Sequence, residues 1–198
     1  MYRGVLRLKP DDVLLVNACG SAIGRIFAQL SKVLGFRLIA VTRNNNYTQD
    51  LLKLGASYVI NTTESALHDT VMELTNGLGA TSAIDSIGGT DGTELAFCVR
   101  PNGTFLTLGL LSGVPVDWKE ISLKTKVNTK LFHLRYWNQQ VSVRDWQETF
   151  HRLITLIIDK RLTLMTKDSQ FDLLQVKEAV RVAESSKRNK GKVFLTSW

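Results

Sequence analysis

The sequence predicts an α/β fold: a doubly wound parallel sheet with helices on both of its faces. Short runs rich in β-branched residues alternate along the chain with segments in which apolar residues recur every three or four positions. Apolar residues stand next to each other in these runs instead of strictly alternating with polar residues, as in Val13–Val16, which is typical of strands that are buried on both faces. Strand, helix and strand in this rhythm form the repeating unit of a parallel sheet.

The predicted strands come from the short apolar runs. The first five lie at residues 13–17, 37–42, 58–61, 82–86 and 104–108. A sixth strand is predicted at residues 130–134, after a long interval. Parallel neighbours need a crossover of a dozen or more residues, and the intervals between these runs leave room for helices.

The first helix is predicted from a single apolar face followed by a glycine. Its apolar face consists of Ile26, Phe27, Leu30, Val33 and Leu34. Gly35 comes next, and a glycine just past the last turn commonly ends a helix. Further helices are predicted at residues 47–54, closed by Gly55, at 66–76 and at 92–99.

The rhythm changes after residue 110. Residues 111–127 are predicted to be a long connection, 143–160 an amphipathic helix and 173–184 another helix. A closing strand at 192–196 has no obvious partner among the first five strands. We therefore divide the chain into a doubly wound domain over residues 1–160 and a C-terminal segment over residues 161–198.

Composition narrows the class of protein. A chain of 198 residues suits one large domain. Its longest apolar runs are far shorter than the ~20 residues of a membrane span, and its first residues lack the apolar stretch of a secretory signal. Two cysteines supply neither a disulfide framework nor a cysteine-rich zinc site. We expect a cytoplasmic protein that does not engage a membrane.

The net charge of +7 raises the question of a polyanionic partner. The basic residues are scattered along the chain instead of being massed in one stripe, so we do not expect nucleic acid to be that partner. A strongly anionic bound cofactor is a second explanation for the excess of positive charge.

The turn after the first strand has the composition of a phosphate site. Residues 17–24 read Asn-Ala-Cys-Gly-Ser-Ala-Ile-Gly and lead straight into a helix, whose N-terminal N–H groups and dipole favour an anion. Gly24 lets the helix pack closely against the strand, and Ser21 is suited to cap the helix and to donate its hydroxyl to a phosphate. Cys19 and Ser21 stand where the strict Rossmann pattern has glycines, so a strand–helix turn without a ligand is the alternative.

The end of the second strand distinguishes between two dinucleotides. NAD-binding folds usually place Asp or Glu about 20 residues past the glycines, where it binds the ribose hydroxyls. Here the strand ends at Thr42 and Arg43, and the first acidic residue, Asp50, already lies in the next predicted helix. The guanidinium of Arg43 suits a 2′-phosphate, so Thr42 and Arg43 enter the predicted site and NADP(H) is the predicted cofactor. A plain surface arginine is the alternative.

Other reactive side chains form no recognisable centre. His68, His133 and His151 are isolated and show no metal-ligand spacing, so no metal site and no catalytic residue is predicted. Cys98 falls in an apolar segment and is predicted to be buried. Cys19 lies beside the phosphate turn at a helix N-terminus, which predicts a lowered thiol pKa there.

Five segments together resemble the medium-chain dehydrogenase/reductase superfamily, in its zinc-free quinone oxidoreductase and 2-enoyl thioester reductase branches. The segments are residues 12–35, 51–56, 83–89, 102–109 and 190–193, in the order and spacing of that family. Residues 17–24 and 131–140 are most similar to the enoyl thioester reductases. Asn44 and Asn45 depart from the acidic and basic residues that usually follow the arginine in that branch.

The resemblance implies a set of contacts to the cofactor. Gly20, Ser21, Ala22, Ile23 and Gly24 would form the pyrophosphate turn, and Arg43 would bind the 2′-phosphate. The nicotinamide side would be lined by Leu108, Gly109, Leu110, Tyr136, Trp137 and Lys192. Core packing is the alternative for the two aromatic residues, and a surface charge is the alternative for Lys192.

The resemblance also implies a function and partners. Members of the family transfer a hydride from NADPH to an activated C=C bond of an enoyl thioester, quinone or enone. They carry an additional N-terminal catalytic domain, on which the segment 161–198 would pack, so we expect this chain to be inactive by itself. A homodimer through the edge strand near residues 130–134 is also implied. The competing hypothesis is a stand-alone NADP-binding regulatory or nucleic-acid-binding module.

Overall fold

The computed structural model describes residues 6–185 and 191–197, and it confirms the predicted fold class. A six-stranded sheet has the order β3-β2-β1-β4-β5-β6, and every neighbouring pair is parallel. Its strands are β1 (Val13–Val16), β2 (Arg37–Thr42), β3 (Tyr58–Asn61), β4 (Ala80–Asp85), β5 (Val99–Thr107) and β6 (Asn128–Leu131). The chain divides into two compact units, Met1–Leu162 and Thr163–Trp198.

Among the described residues of the first unit, five α-helices connect the strands and two more follow β6. They are α1 (Ala22–Leu34), α2 (Thr48–Leu54), α3 (Leu67–Leu74), α4 (Gly89–Phe97), α5 (Trp118–Lys124), α6 (Leu134–Gln140) and α7 (Val143–Ile158). The predicted stop at Gly35 is confirmed: its φ of 82° is left-handed, and its N–H donates to the carbonyl oxygen of Ser31. No helix in the described part of the chain is long and apolar enough to cross a membrane.

The sheet separates two apolar layers, because neighbouring strand residues point to opposite faces. Leu15, Ala83 and Phe105 belong to the layer that also contains Leu95 of α4. Their neighbours Leu14, Ile84 and Leu106 belong to the opposite layer, with Phe27, Ala28 and Leu30 of α1. The central strands are therefore buried on both faces, which explains why they read as continuous apolar runs.

The long connection predicted at residues 111–127 contains a helix, α5, that the sequence did not indicate. Asp117 caps α5 by accepting the N–H of Glu120 at 2.8 Å, and Ile121 enters the core at 1% exposure. Trp118, the first residue of α5, places its ring edge-on to that of Phe105, with 6.3 Å between the ring centroids. A seven-residue helix offers only two turns of periodicity, so its apolar pattern is short.

The sixth strand lies earlier than predicted. It spans Asn128–Leu131 instead of residues 130–134, and Leu134 begins α6. Thr104 of β5 pairs with Asn128, and Thr107 pairs with Leu131. The strand has exposed side chains throughout, so it lacks the continuous apolar run that located the first five strands.

The second unit contains a strand that the sequence did not predict. Strand β7 (Lys167–Asp172) pairs in parallel with β8 (Lys192–Thr196), and α8 (Val176–Glu184) connects them. The amide nitrogen of Gln170 donates to the hydroxyl of Thr196 across the pair at 2.9 Å. The closing strand therefore has a partner. Strand β7 is mostly polar, which hides it from a search for apolar runs.

Helix α5 provides a test of the packing on one side of the sheet. Ile121→Ala should lower the free energy of unfolding by about 2–5 kcal/mol, because it leaves a cavity in the core. Leu123→Ala on the same helix removes a side chain that is 76% exposed and should change it by less than about 0.5 kcal/mol. Urea titrations followed by circular dichroism measure both. Equal losses for the two variants would contradict the placement of α5.

Candidate functional site

The candidate site lies at the carboxyl ends of β1 and β4, in the middle of the sheet. From β1 the chain moves outward to β2 and β3, and it then returns to place β4 on the other side of β1. The connections after β1 and β4 therefore diverge to opposite faces and leave a crevice between them. Ligands of doubly wound folds bind at this switch point.

The turn from β1 into α1 presents free backbone donors. Ser21 caps α1, and its Oγ accepts the N–H of Gly24 at 3.2 Å, as the sequence predicts for a cap. Its own N–H donates to the carbonyl oxygen of Ala18 at 2.9 Å. Within the described residues, the N–H groups of Gly20, Ala22 and Ile23 donate to no protein acceptor. Ser21 and Ile23 are exposed, and Gly20 and Ala22 are partly exposed, so the turn borders solvent.

Two glycines of this turn are required by close contacts. A Cβ on Gly24 would lie 2.3 Å from the Cα of Cys19, so only glycine lets α1 approach the turn this closely. A Cβ on Gly20 would lie 2.6 Å from the ring of Tyr47. Tyr47 is a site residue that the sequence did not indicate, because it lies between β2 and α2 without a recognisable motif.

The charge of the turn favours an anion. The first turn of α1 contains no acidic residue, so no side chain on that turn offsets the positive end of the helix dipole. Arg43 is exposed and makes no ion pair or hydrogen bond with another described residue. The backbone joins the two parts, since the N–H of Cys19 donates to the carbonyl oxygen of Val41 at 3.2 Å, two residues before Arg43.

Thr42 is less accessible than its neighbour. Thr42 is buried, and its hydroxyl donates to the carbonyl oxygen of Asn44 at 2.9 Å. The hydroxyl of Thr42 is therefore engaged within the chain and does not face solvent. Arg43 presents the polar group that reaches solvent at this position.

A buried carboxylate connects the ends of β1 and β4. Asp85 is completely buried and accepts the side-chain N–H of Asn17 at 2.6 Å, together with the backbone N–H groups of Ile87 and Gly88 at 3.0 Å each. The amide oxygen of Asn17 in turn accepts the N–H of Ser86 at 2.8 Å. One pair of side chains thus fixes the last residue before the phosphate turn and the first residues of the neighbouring loop.

The backbone of Asp85 also positions the loop after β5. Its carbonyl oxygen accepts the N–H of Leu108 at 2.7 Å and that of Gly109 at 3.4 Å. A Cβ on Gly109 would lie 3.0 Å from the carbonyl oxygen of Ser86, so the two loops are in close contact. Leu110 is half exposed at the end of this segment. The structure therefore brings the predicted segment 108–110 to the same edge as the phosphate turn.

The remaining predicted residues lie further along the chain. Tyr136 and Trp137 belong to α6, which follows the carboxyl end of β6. Tyr136 is 59% exposed and contacts the ring of His133 at 4.9 Å between centroids, whereas Trp137 is half-buried. Lys192 begins β8 in the second unit, where its N–H donates to the carbonyl oxygen of Thr166. Contact of these three residues with a cofactor stays a prediction.

The prediction of a lowered thiol pKa at Cys19 is wrong. Burial raises the pKa of the Cys19 thiol to about 12, although a hydrogen bond with the backbone of Val41 opposes the shift. The thiol points inward and donates to the carbonyl oxygen of Val16 at 3.1 Å. Cys98 is buried as predicted, and burial likewise raises its thiol pKa to about 12. Both thiols are therefore protonated at neutral pH.

Together these features define a class: a doubly wound nucleotide-binding domain whose switch point presents free N–H donors and a cation. A protein-family model described as zinc-binding dehydrogenase matches residues 22–157, and the chain belongs to this family. Among the described residues no group of three or more His, Cys, Asp or Glu side chains is placed to hold a metal. The described residues therefore do not supply the zinc site that the family description implies.

Known relatives are oxidoreductases. The chain is 30% identical over 163 residues to the mitochondrial enoyl-[acyl-carrier-protein] reductase of Mus musculus, covering 79% of this chain and 43% of the mouse protein. It is 31% identical over 113 residues to quinone oxidoreductase 1 of Escherichia coli (strain K12), covering 57% of this chain and 35% of that protein. These names support the quinone and enoyl reductase branches of the medium-chain superfamily.

A solved structure gives a closer likeness. A Bacillus thuringiensis protein described as an NADPH:quinone reductase is 61% identical, with a TM-score of 0.94, and the match covers 98% of this chain and 58% of that one. Escherichia coli quinone oxidoreductase in complex with NADPH shares the fold at a TM-score of 0.85 and 24% identity. The chain thus spans less than two thirds of the length of these relatives.

Replacement of the buried carboxylate tests the organisation of the site. Asp85→Asn exchanges one acceptor oxygen for an N–H donor, which in one orientation of the amide faces the N–H of Gly88 and in the other faces those of Asn17, Ile87 and Gly88. The free energy of unfolding should fall by on the order of 2–3 kcal/mol. Asp11→Asn, at an exposed carboxylate, should change it by less than about 0.5 kcal/mol. Chemical denaturation measures both, and an Asp85→Asn variant as stable as the parent chain would contradict the network.

Proposed function

We propose that this chain is the NADPH-binding part of an oxidoreductase that transfers a hydride to an activated C=C bond. One observation carries the proposal: the N–H groups of Gly20, Ala22 and Ile23 are free at a helix N-terminus that has no acidic residue. A dinucleotide pyrophosphate is the anion that such a turn suits, because it accepts several hydrogen bonds at once. The oxidoreductase names of the relatives support the same interpretation.

The proposed cofactor contacts follow from the positions of these groups. Gly20, Ser21, Ala22 and Ile23 bind the pyrophosphate, whereas Gly24 acts through packing because its N–H is already used by Ser21. The Ser21 hydroxyl accepts that hydrogen bond with a lone pair and keeps its own proton for a phosphate oxygen.

Arg43 sets the choice between the two dinucleotides. Its guanidinium carries a permanent charge and has no described partner to neutralise it, so it favours the additional phosphate of NADP(H). Thr42 contributes through the backbone that orients Arg43, because its hydroxyl is engaged within the chain.

The loop at Leu108, Gly109 and Leu110 forms the nicotinamide side of the proposed site. The hydrogen bonds to Asp85 hold this loop beside the phosphate turn. Tyr136, Trp137 and Lys192 complete that side in the proposal. When bound, NADPH supplies the hydride, and the chain's own residues bind it, orient it and exclude water from it.

The acceptor belongs to one of three related classes: an enoyl thioester, a quinone or an enone. Each has a polarised C=C bond that accepts a hydride. The relatives extend beyond the part that this chain matches, and we place the groups that recognise the acceptor there. A cytoplasmic location stays a prediction.

The competing hypothesis is a binding module without catalysis. A regulatory NADP sensor would need the same turn and the same Arg43, so cofactor binding does not separate the two hypotheses. The names of the relatives favour the oxidoreductase. Nucleic-acid binding would show a steep dependence on salt, which a fluorescence anisotropy titration with labelled DNA and RNA would detect.

Calorimetric titration with NADPH and NADH tests the cofactor proposal. The parent chain should prefer NADPH, and Arg43→Ala should weaken NADPH binding by about tenfold to a hundredfold while leaving NADH nearly unchanged. Arg100→Ala, at another exposed arginine, is the matched control and should leave both affinities unchanged. Equal affinity for the two dinucleotides that is insensitive to Arg43→Ala would contradict the NADP proposal.

A homodimer through β6 is a further part of the proposal. This strand is at the edge of the sheet, and the N–H of Phe132 donates inward to the carbonyl oxygen of Thr107. By alternation, the N–H groups of Thr129 and Leu131 point away from β5 and are available to a second copy. Leu131 is 71% exposed, which adds an apolar contact to such an interface.

A proline in this edge strand separates pairing within the chain from pairing between copies. Thr129→Pro removes an outward donor while it leaves the inward hydrogen bonds of β6 in place. Light scattering should show a dimer for the parent chain and for Thr129→Ala, and a monomer for Thr129→Pro. A parent chain that is monomeric at high concentration would exclude this interface.

A further inference from the structure

Four cationic side chains meet at the ends of three helices. Lys32 lies in the last turn of α1, Lys53 lies in the last turn of α2, and Lys160 and Arg161 follow the end of α7. They line a cavity of about 320 Å³ together with Gln29 and two apolar residues, and none of the seven lining residues is acidic. The scattered lysines and arginines of the sequence are thus locally concentrated by the fold.

Hydrogen bonds anchor the backbone segments around the cavity. The ammonium of Lys32 donates to the carbonyl oxygen of Lys53 at 2.6 Å, which joins the ends of α1 and α2. The N–H of Arg161 donates to the carbonyl oxygen of Leu156 at 2.9 Å, so the chain folds back at the end of α7. Lys160 makes this reversal with a left-handed φ of 56°. The four cations are therefore held on anchored backbone segments.

The cavity has more positive charge than its helix ends require. Cations are stabilised at helix C-termini, each of which carries about half a negative charge, so three helix ends offset roughly 1.5 charges. Asp159, which ends α7 next to Lys160, offsets one further charge, so the four cations leave an excess of about 1.5 positive charges by the same count. The ion pairs found among the described residues involve none of the four. All four cations are exposed, so an anion from solution can reach them.

We propose that this cavity is a second anion site, which binds a small molecule with two or more phosphate groups. Its volume is near the lower end of the range for small-molecule sites, about 300–1,000 Å³. A concave cavity suits a compact ligand, whereas nucleic acid needs an extended basic stripe. Lys32 lies ten residues beyond Ala22, roughly 15 Å along α1, so this site is separate from the proposed cofactor turn.

Inorganic pyrophosphate is the probe for the test. Titration of the full chain, followed by amide nuclear magnetic resonance, should give saturable shifts at residues 53–55 and 160–162. A Lys53→Gln/Lys160→Gln double variant should weaken binding by about a hundredfold, because each lost charge-assisted hydrogen bond corresponds to roughly tenfold in affinity. The Lys119→Gln/Lys126→Gln double variant removes two exposed lysines elsewhere and should bind like the parent chain.

Arg43→Ala separates this result from the cofactor proposal. Pyrophosphate shifts at residues 53–55 and 160–162 should persist in that variant, whether or not the chain binds NADPH. Four outcomes would overturn the proposal: no shifts at millimolar pyrophosphate, shifts confined to residues 20–24, unchanged affinity in the Lys53→Gln/Lys160→Gln variant, or binding of a DNA duplex at the cavity without binding of pyrophosphate.

Discussion

The candidate site depends on the hydrogen bonds that the buried carboxylate of Asp85 accepts. Three loops converge at the carboxyl edge of the sheet, and none of them has a core of its own. Asp85 contacts all three: its side chain binds Asn17 before the phosphate turn and the N–H groups of the loop after β4, and its carbonyl oxygen binds the loop at Leu108. A buried charge is costly unless it is hydrogen-bonded, so these donors are constrained to remain around it. The same constraint fixes the turn whose free N–H groups face solvent.

The packing of the sheet supplies the rest of this rigidity. The apolar layers on the two faces hold β1 and β4 in register, with Leu15 beside Ala83 and Val16 beside Ile84. Their carboxyl ends consequently lie side by side, and Asn17 reaches Asp85 across 2.6 Å. Burial of apolar side chains thus determines where the polar groups of the site meet. We expect a site prepared in this way to bind an anion without first having to order its loops.

The helices and strands that the sequence predicted have a clearer apolar pattern than those it did not predict. Strands β1 to β5 contain adjacent apolar residues and helix α1 has a single apolar face, and the Ser21 cap and the stop at Gly35 follow from local rules for helix ends. Helix α5 is short, and β6 and β7 are largely polar, so their positions depend on pairing partners that no local pattern reveals. At the site, the sequence indicated the phosphate turn and Arg43. It did not indicate the contact of Tyr47 with Gly20, or that burial would reverse the pKa shift predicted for Cys19.

The central claim is that the edge organised by Asp85 is the dinucleotide site of this family member. Hydrogen–deuterium exchange of the chain, measured with and without NADPH, tests it most directly because it locates the ligand on the backbone. The account predicts slower exchange in three separate segments, at residues 18–24, 43–47 and 108–110, with little change in α5. Protection confined to other segments, or none at saturating NADPH, would contradict it.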